Sequence, residues 1–315
     1  MAGFDGKVIA LTGGVGGAKL ARGLTEVLSP DQLLIVANTA DDFEHLGLSI
    51  SPDLDSVMYA LADQNDTERG WGLAGESWQA MESLKALGGD DWFRLGDKDL
   101  ATHLWRSQLL RDGHSLSDTT RLLCQALGLH HRLIPMSDDP VRTLVATERG
   151  ELGFQHYFVR EQCEPKVSGF RFAGIETASP AAELMDWLAD DRLAAIVICP
   201  SNPFVSVDPI LQLQGVRAAM QASPAPVVAV SPIVGGMAVK GPAAKMMEEL
   251  SMPASADAVA QWYGDLLNGY VMDIVDRNLA SSLSVPNKVI PTLMSSLASK
   301  RKLALDVLDF SRHLN

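Results

Sequence analysis

Residues 7–20 read KVIALTGGVGGAKL, and the reading of this stretch decides the fold. Val8 to Leu11 is a short apolar run without a helical stripe, which describes a strand buried on both faces. Thr12 ends it. Gly13, Gly14, Gly16 and Gly17 then permit close approaches that side chains forbid, so that main-chain N–H groups can meet a phosphate. Apolar residues at 20, 21, 24, 27 and 28 predict a helix from Ala18 to Leu28, its positive end facing any anion held by the loop. The same residues also describe a tight strand-to-helix turn that binds nothing, although four glycines in five positions exceed what a turn needs. The stretch is not the dinucleotide fingerprint, because Lys19 falls where the third glycine should stand. Nor is it a Walker A loop, which needs a four-residue gap and a following Ser or Thr.

Working outward, Leu33 to Ala37 is a second apolar run, ending in Asn38-Thr39-Ala40-Asp41-Asp42. Asn38 and Thr39 stand where a nicotinamide-binding fold places an acid for the ribose. Ser51-Pro52-Asp53-Leu54-Asp55 then opens a helix, with Ser51 as cap and Pro52 at its first position. Asp53 and Asp55 fall in its first turn, where carboxylates complement the helix dipole; with Asp41 and Asp42 nearby they equally suit a hard oxygen site for Mg²⁺.

Three- and four-residue apolar spacing predicts helices over Val57–Ala62, Ser77–Leu87, Leu100–Leu110 and Ser117–Leu127, so residues 56–130 read as a helical insertion within a single α/β domain spanning 1–315. Four of the six tryptophans lie in it. Trp78 and Trp105 sit in helical stripes and read as core; Trp71 and Trp92 stand in Gly- and Asp-rich connections, where a flat ring could meet an aromatic ligand. Arg94 follows Trp92 in a loop, suited to a phosphate or a polarised carbonyl and equally to solvent.

Arg132 to Met136 resumes the sheet. Val141–Thr147 and Gly153–Val159 read as a β-hairpin outside it, Pro180–Leu188 and Ile210–Met220 as helices, Ala194–Cys199 and Val227–Val230 as strands. Lys288–Leu293 and Ser299–Leu308 repeat strand then helix. Five apolar strands thus run into polar or glycine loops: TGGVGG, NTADD, MSDDP, PSNP and SPIVGG. In a Rossmann-like, doubly wound, mostly parallel sheet these loops gather at the carboxyl edge, where ligands bind.

Composition narrows the function. The 315 residues are 47% hydrophobic, ample for a core, and the net charge of −13 disfavours nucleic acid or an anionic membrane as partner. Cys124, Cys163 and Cys199 suggest neither a disulfide framework nor a zinc site, and the seven histidines show no metal or nucleophile-elbow spacing. His103 reads as a satisfied helix residue. No apolar run is long enough for a membrane span, and Met1 to Gly6 shows no signal-peptide pattern, so a cytoplasmic location is expected.

TGGVGGAKL, NTADDFEHLGLSISPDLDSVMYAL, RGWGLAGESWQAM, WFRLGDKDLATHLWRSQLLRDG, PMSDDPVRT, PSNPFVSVDPIL and SPIVGGMAVKGPAAKMM, in order from Thr12 to Met247, resemble the 2-phospho-L-lactate transferase (CofD) family of coenzyme F420 biosynthesis. Beyond Leu250 the likeness thins. The resemblance implies a dimeric, Mg²⁺-using enzyme that moves a phospho-acid (lactate, enolpyruvate or glycerate) from a guanosine-diphosphate-linked donor to the ribityl hydroxyl of the deazaflavin Fo, releasing GMP. Gly13, Gly14, Gly16, Gly17 and Asn38 would hold the diphosphate, with Ser201 and Asn202 bordering the nucleotide. Asp55 and Arg94 match the family's deazaflavin-binding positions, both expected to be accessible, with Trp71 or Trp92 as ring contacts. Asp42 and Asp53 are the Mg²⁺ candidates, and Asp55 could accept the hydroxyl proton. The alternative is a related, non-enzymatic regulator that binds nucleotide sugars; PDLD and FRLGDKD speak for the transferase.

Overall fold

The computed structural model describes residues 4–314; of the stretch read above for a signal peptide, residues 1–3 lie outside them. Its central sheet has seven parallel strands: β1 Lys7–Thr12, β2 Leu33–Ala37, β3 Arg132–Pro135, β4 Leu193–Ile198, β5 Val227–Val230, β6 Gly269–Met272 and β7 Asn287–Val289. Their order is 7-6-5-4-1-2-3. The chain therefore winds outward in both directions from β1, and the crevice between the carboxyl ends of β1 and β4 is the point where such sheets take ligands. Alternation along β1 explains why the run is apolar without interruption. Val8 and Ala10 enter the core beneath the helix that follows, while Ile9 and Leu11 enter the opposite core with Tyr157, Trp187 and Phe204.

The first helix, α1, spans Gly14–Thr25 and so begins four residues before the predicted Ala18. Its first turn is the glycine loop itself. Of the loop's four glycines only Gly14 has a left-handed backbone, at φ 62°. Gly16 and Gly17 are needed for close packing: a Cβ on Gly16 would strike the Pro200 carbonyl, and one on Gly17 would strike the hydroxyls of Thr12 and Ser201. These two glycines press α1 onto the loop after β4.

Between β2 and β3 lie a small hairpin, Phe43–His45 with Leu48–Ile50, and four helices: α2 Pro52–Leu61, α3 Gln79–Ala86, α4 Asp97–Arg111 and α5 Leu116–Ala126. α2 packs on α1 through Leu54, Val57 and Met58, whereas the hairpin, α3 and α4 enclose a satellite core of Leu48, Ile50, Met81 and Leu95.

The predicted hairpin at 141–159 is a three-stranded antiparallel sheet, Arg142–Thr147, Gly150–Gly153 and Val167–Ala173. Its second strand ends early because 156–160 coil into a wide helical turn that buries Tyr157 in the core. The helix expected over 210–220 is two, Asp208–Gln212 and Val216–Ala222, broken where Gly215 turns left-handed at φ 83°. β6 was absent from the sequence reading; its four buried residues, GYVM, are too few to show a period. Trp105, read as core, is 38% exposed on α4.

Gly23, inside α1, touches the backbone of Lys300 on the helix Leu297–Arg312. Alanine usually stabilises a helix interior relative to glycine. Here the added methyl would meet a main-chain carbonyl, so Gly23→Ala should destabilise by about 1–3 kcal/mol. Thermal unfolding checks this; a raised melting temperature would contradict the packing.

Candidate active site

At the carboxyl end of β1 the Gly13 N–H donates to Ser201 Oγ at 3.1 Å, tying the glycine loop to the loop after β4 across the crevice. Asn202 serves its own loop, its side chain accepting from the N–H groups of Phe204 and Val205. Asn38, fully buried at the end of β2, donates to Asp53 Oδ2 at 2.9 Å and to the Val205 carbonyl at 3.2 Å, and accepts from the Ala40 N–H. Asn38 is thus a strut between loops, and its partner Asp53 lies directly against the glycine loop. A Cβ on Gly13 would collide with that carboxylate.

Asp53 occupies the positive end of α1, whose cap residue Gly13 brings no side chain of its own. The site therefore already holds an oxyanion, from the protein. Burial raises the Asp53 carboxyl to about 6, with bonds from Asn38, the Gly14 N–H and Ser206 acting against the rise. Asp42, bonded by Ser51 Oγ at 2.7 Å, is pushed by burial to about 7. Asp41 lies well above the usual carboxylate range, because it is buried and feels the like charges of Asp53 and Asp42. Asp41 Oδ1 and Asp42 Oδ1 have no hydrogen-bond partner. Three buried carboxyls, two of them with an unused oxygen, fit a hard cation by chemistry. Among the described residues no three acids converge as a complete cage, but Mg²⁺ ordinarily takes one or two carboxylates and completes its shell with phosphate and water.

Asp55, expected at the surface, is buried instead. Arg106 grips both its oxygens, Nη1 at 3.0 Å and Nη2 closer still. His103 Nδ1 lies 3.1 Å from Arg106, its Nε2 lies 3.2 Å from Asp99, and Tyr59 donates to Asp99 at 2.6 Å. Asp55 is hence locked in a bidentate ion pair. Sequence reading passed over Arg106, although Asp99, His103 and Arg106 recur at the spacing of one helical face.

Arg94 is exposed as expected, its guanidinium 4.6 Å from the Trp78 ring. Arg69 lies on the same ring at 4.7 Å and on Trp71 at 5.1 Å, so Arg94, Trp78, Arg69 and Trp71 form one ladder. Trp78, read as core, is half-buried within it. Trp92 lies elsewhere, 4.6 Å from His156 and beside Phe43 and His45. Arg94 and Trp71 are thereby brought together, and Trp92 is not. No helix among the described residues is long and apolar enough to cross a membrane.

A doubly wound parallel sheet, with a glycine-started helix and buried carboxyls at its switch point, defines a class, the Rossmann-like α/β proteins. The comparisons narrow it. The family model described as "2-phospho-L-lactate transferase CofD" matches residues 8–305, and this chain belongs to that transferase family. It is 40% identical over 308 residues to a phosphoenolpyruvate transferase of Kitasatospora aureofaciens, covering 95% of each chain. It is 39% identical over 300 residues to a 2-phospho-L-lactate transferase of Methanosarcina mazei, covering 94% of this chain and 98% of that one. A crystal structure of a UPF0052 family member from Bacillus halodurans superposes with a TM-score of 0.65 at 17% identity, over 96% of this chain and 99% of that one, which shows the shared fold.

Asp42 and Asp53 bind protons in the folded chain that the unfolded chain releases near the usual 3.8. Their contribution to stability is full below that value and is lost as pH rises through about 6 to 7. In EDTA the melting temperature should therefore be higher near about pH 5 than near about pH 8, and Asp42→Asn should flatten the difference. A melting temperature that climbs steadily across that range would refute these protonation states.

Proposed function

We propose that the chain transfers a phospho-acid group, 2-phospholactate or a close analogue such as phosphoenolpyruvate, from a guanosine-diphosphate-linked donor to the ribityl hydroxyl of the deazaflavin Fo, in coenzyme F420 biosynthesis. The hydroxyl oxygen attacks the phosphorus of the phospho-acid, the bond to the GMP phosphate breaks, GMP leaves with the electron pair, and the hydroxyl proton passes to the departing phosphate or to water. The observation that carries this reading is likeness over nearly the whole chain to enzymes named for both acids. The regulator alternative offers no reason for that likeness.

The residues divide the work by charge. Gly13 and Gly14, with the N-terminus of α1, receive the donor diphosphate once Asp53 swings aside or shares a cation with it. Asp42 and Asp53, with Asp41 beside them, would hold Mg²⁺, which when bound neutralises the diphosphate. Ser201 borders the nucleotide, and Asn202 keeps that loop's shape. Asp55, locked by Arg106, presents a fixed acceptor for the ribityl hydroxyls, and Arg94 with Trp71 offers a flat cationic face to the deazaflavin. The enzyme acts as a homodimer, checked by light scattering.

Purified protein offered Fo with enolpyruvyl and lactyl guanylated donors should release GMP with at least one, lose activity in EDTA and regain it with Mg²⁺. Asp55→Asn or Arg94→Ala should weaken Fo binding by about tenfold, the worth of one charge-assisted bond. No turnover with any donor, or Fo affinity unmoved in both variants, would overturn the respective assignment.

A further inference from the structure

A cleft lies beside the glycine loop, between α1, α2 and the loop 65–72, lined by Val15, Lys19, Ser56, Tyr59, Asn65 and Trp71 among others. Gly13, Gly14 and Asp53 take no part in it. The cleft is thus lateral to the diphosphate cradle, and Ser56 places it next to Asp55 in the chain. Lys19 enters it from α1. A second lysine, Lys240, comes from the segment after the two-residue strands Ile233–Val234 and Met237–Ala238. Its ammonium lies so close to Gly70, another residue of the cleft, that a Cβ there would collide with it. Two ammonium groups from distant parts of the chain therefore flank one opening.

Neither ammonium has a hydrogen bond or ion pair among the described residues. Burial, then Lys300 and Lys240, depress the Lys19 ammonium below its usual range. Lys300 has Asp63 to offset its neighbours; Lys19 shows no acid among the influences on it. The chain carries 39 acids against 26 bases, so acids were abundant, yet none is among the residues lining the cleft. Two like charges brought together, Lys19 partly desolvated and Lys240 exposed, with no ion pair to either, are unfavourable until an anion joins them.

We propose that Lys19 and Lys240 form an oxyanion subsite for the acid end of the donor, clasping the carboxylate of the phospho-acid while the glycine loop holds the diphosphate. This rests on the transferase reading and extends it. The subsite stretches the donor from the cradle across the cleft, so that the phosphorus to be attacked lies between the loop and Asp55. It also explains why a lysine stands where a dinucleotide fold has glycine: the donor has a charged arm in that direction.

Calorimetric titration of GDP and of the enolpyruvyl and lactyl guanylated donors into wild type, Lys19→Met, Lys240→Met and Lys240→Arg tests this. GDP shares the diphosphate and lacks the acid. Each methionine variant should bind the donor about tenfold more weakly or worse and GDP unchanged, with Lys240→Arg retaining donor affinity. Methionine keeps the apolar stem and removes repulsion, so the melting temperature should hold or rise; should Lys19→Met disturb α1, Lys240→Met on its loop decides alone. Equal losses for GDP and donor would mean that the pair serves the nucleotide phosphates and would overturn the subsite, as would unaltered donor affinity. A wild type that binds neither guanylated donor would overturn the transferase reading itself.

Discussion

The junction of Asp53 with the glycine loop is the interaction on which the site depends. One carboxylate touches the loop after β1, is held by a strut from the end of β2, and sits at the positive end of α1. The strut, Asn38, also reaches the loop after β4. Three of the five polar loops are thereby fixed relative to one another by side chains that are all buried. A buried carboxylate is costly unless bonded, and the backbone N–H groups of a helix start are costly unless met by an acceptor; at this junction each satisfies the other. The arrangement is stable without a ligand and is in direct competition with one, since a phosphate seeks the same N–H groups.

Charge is distributed unevenly around that junction. Asp41, Asp42 and Asp53 crowd one side with carboxyls that burial keeps partly protonated. Asp55 lies two residues along α2 from Asp53 and is paired with Arg106. Lys19 and Lys240 stand at the neighbouring cleft. A diphosphate with an acidic arm and a divalent cation would complement all three regions at once, whereas a neutral ligand would leave each uncompensated. The partly exposed ladder of Arg69, Arg94 and two tryptophans presents flat cationic and aromatic faces apart from that junction.

The sheet, its first five strands and the gathering of their loops were legible in the sequence, because a parallel sheet covered on both faces turns each strand into an unbroken apolar run ended by small residues. The helices between β2 and β3 were legible through their period, and the family through long motifs from Thr12 to Met247. Sequence also marked Asp53, Asp55, Arg94 and the glycine loop as the places of interest. What tertiary structure alone decided is how these residues are used. Two of the glycines serve packing against the loop after β4, Asn38 and Asn202 are struts, and Asp55 is bound to an arginine 51 positions away. Trp71 and Arg94 share a ladder that Trp92 does not join. Local pattern reports which face of an element is apolar; it cannot report which distant partner a polar side chain finds, because that pairing is set by the burial of other residues. Lys19 is the plainest case: the sequence showed it only as a missing glycine, and the fold brought Lys240 toward the same cleft.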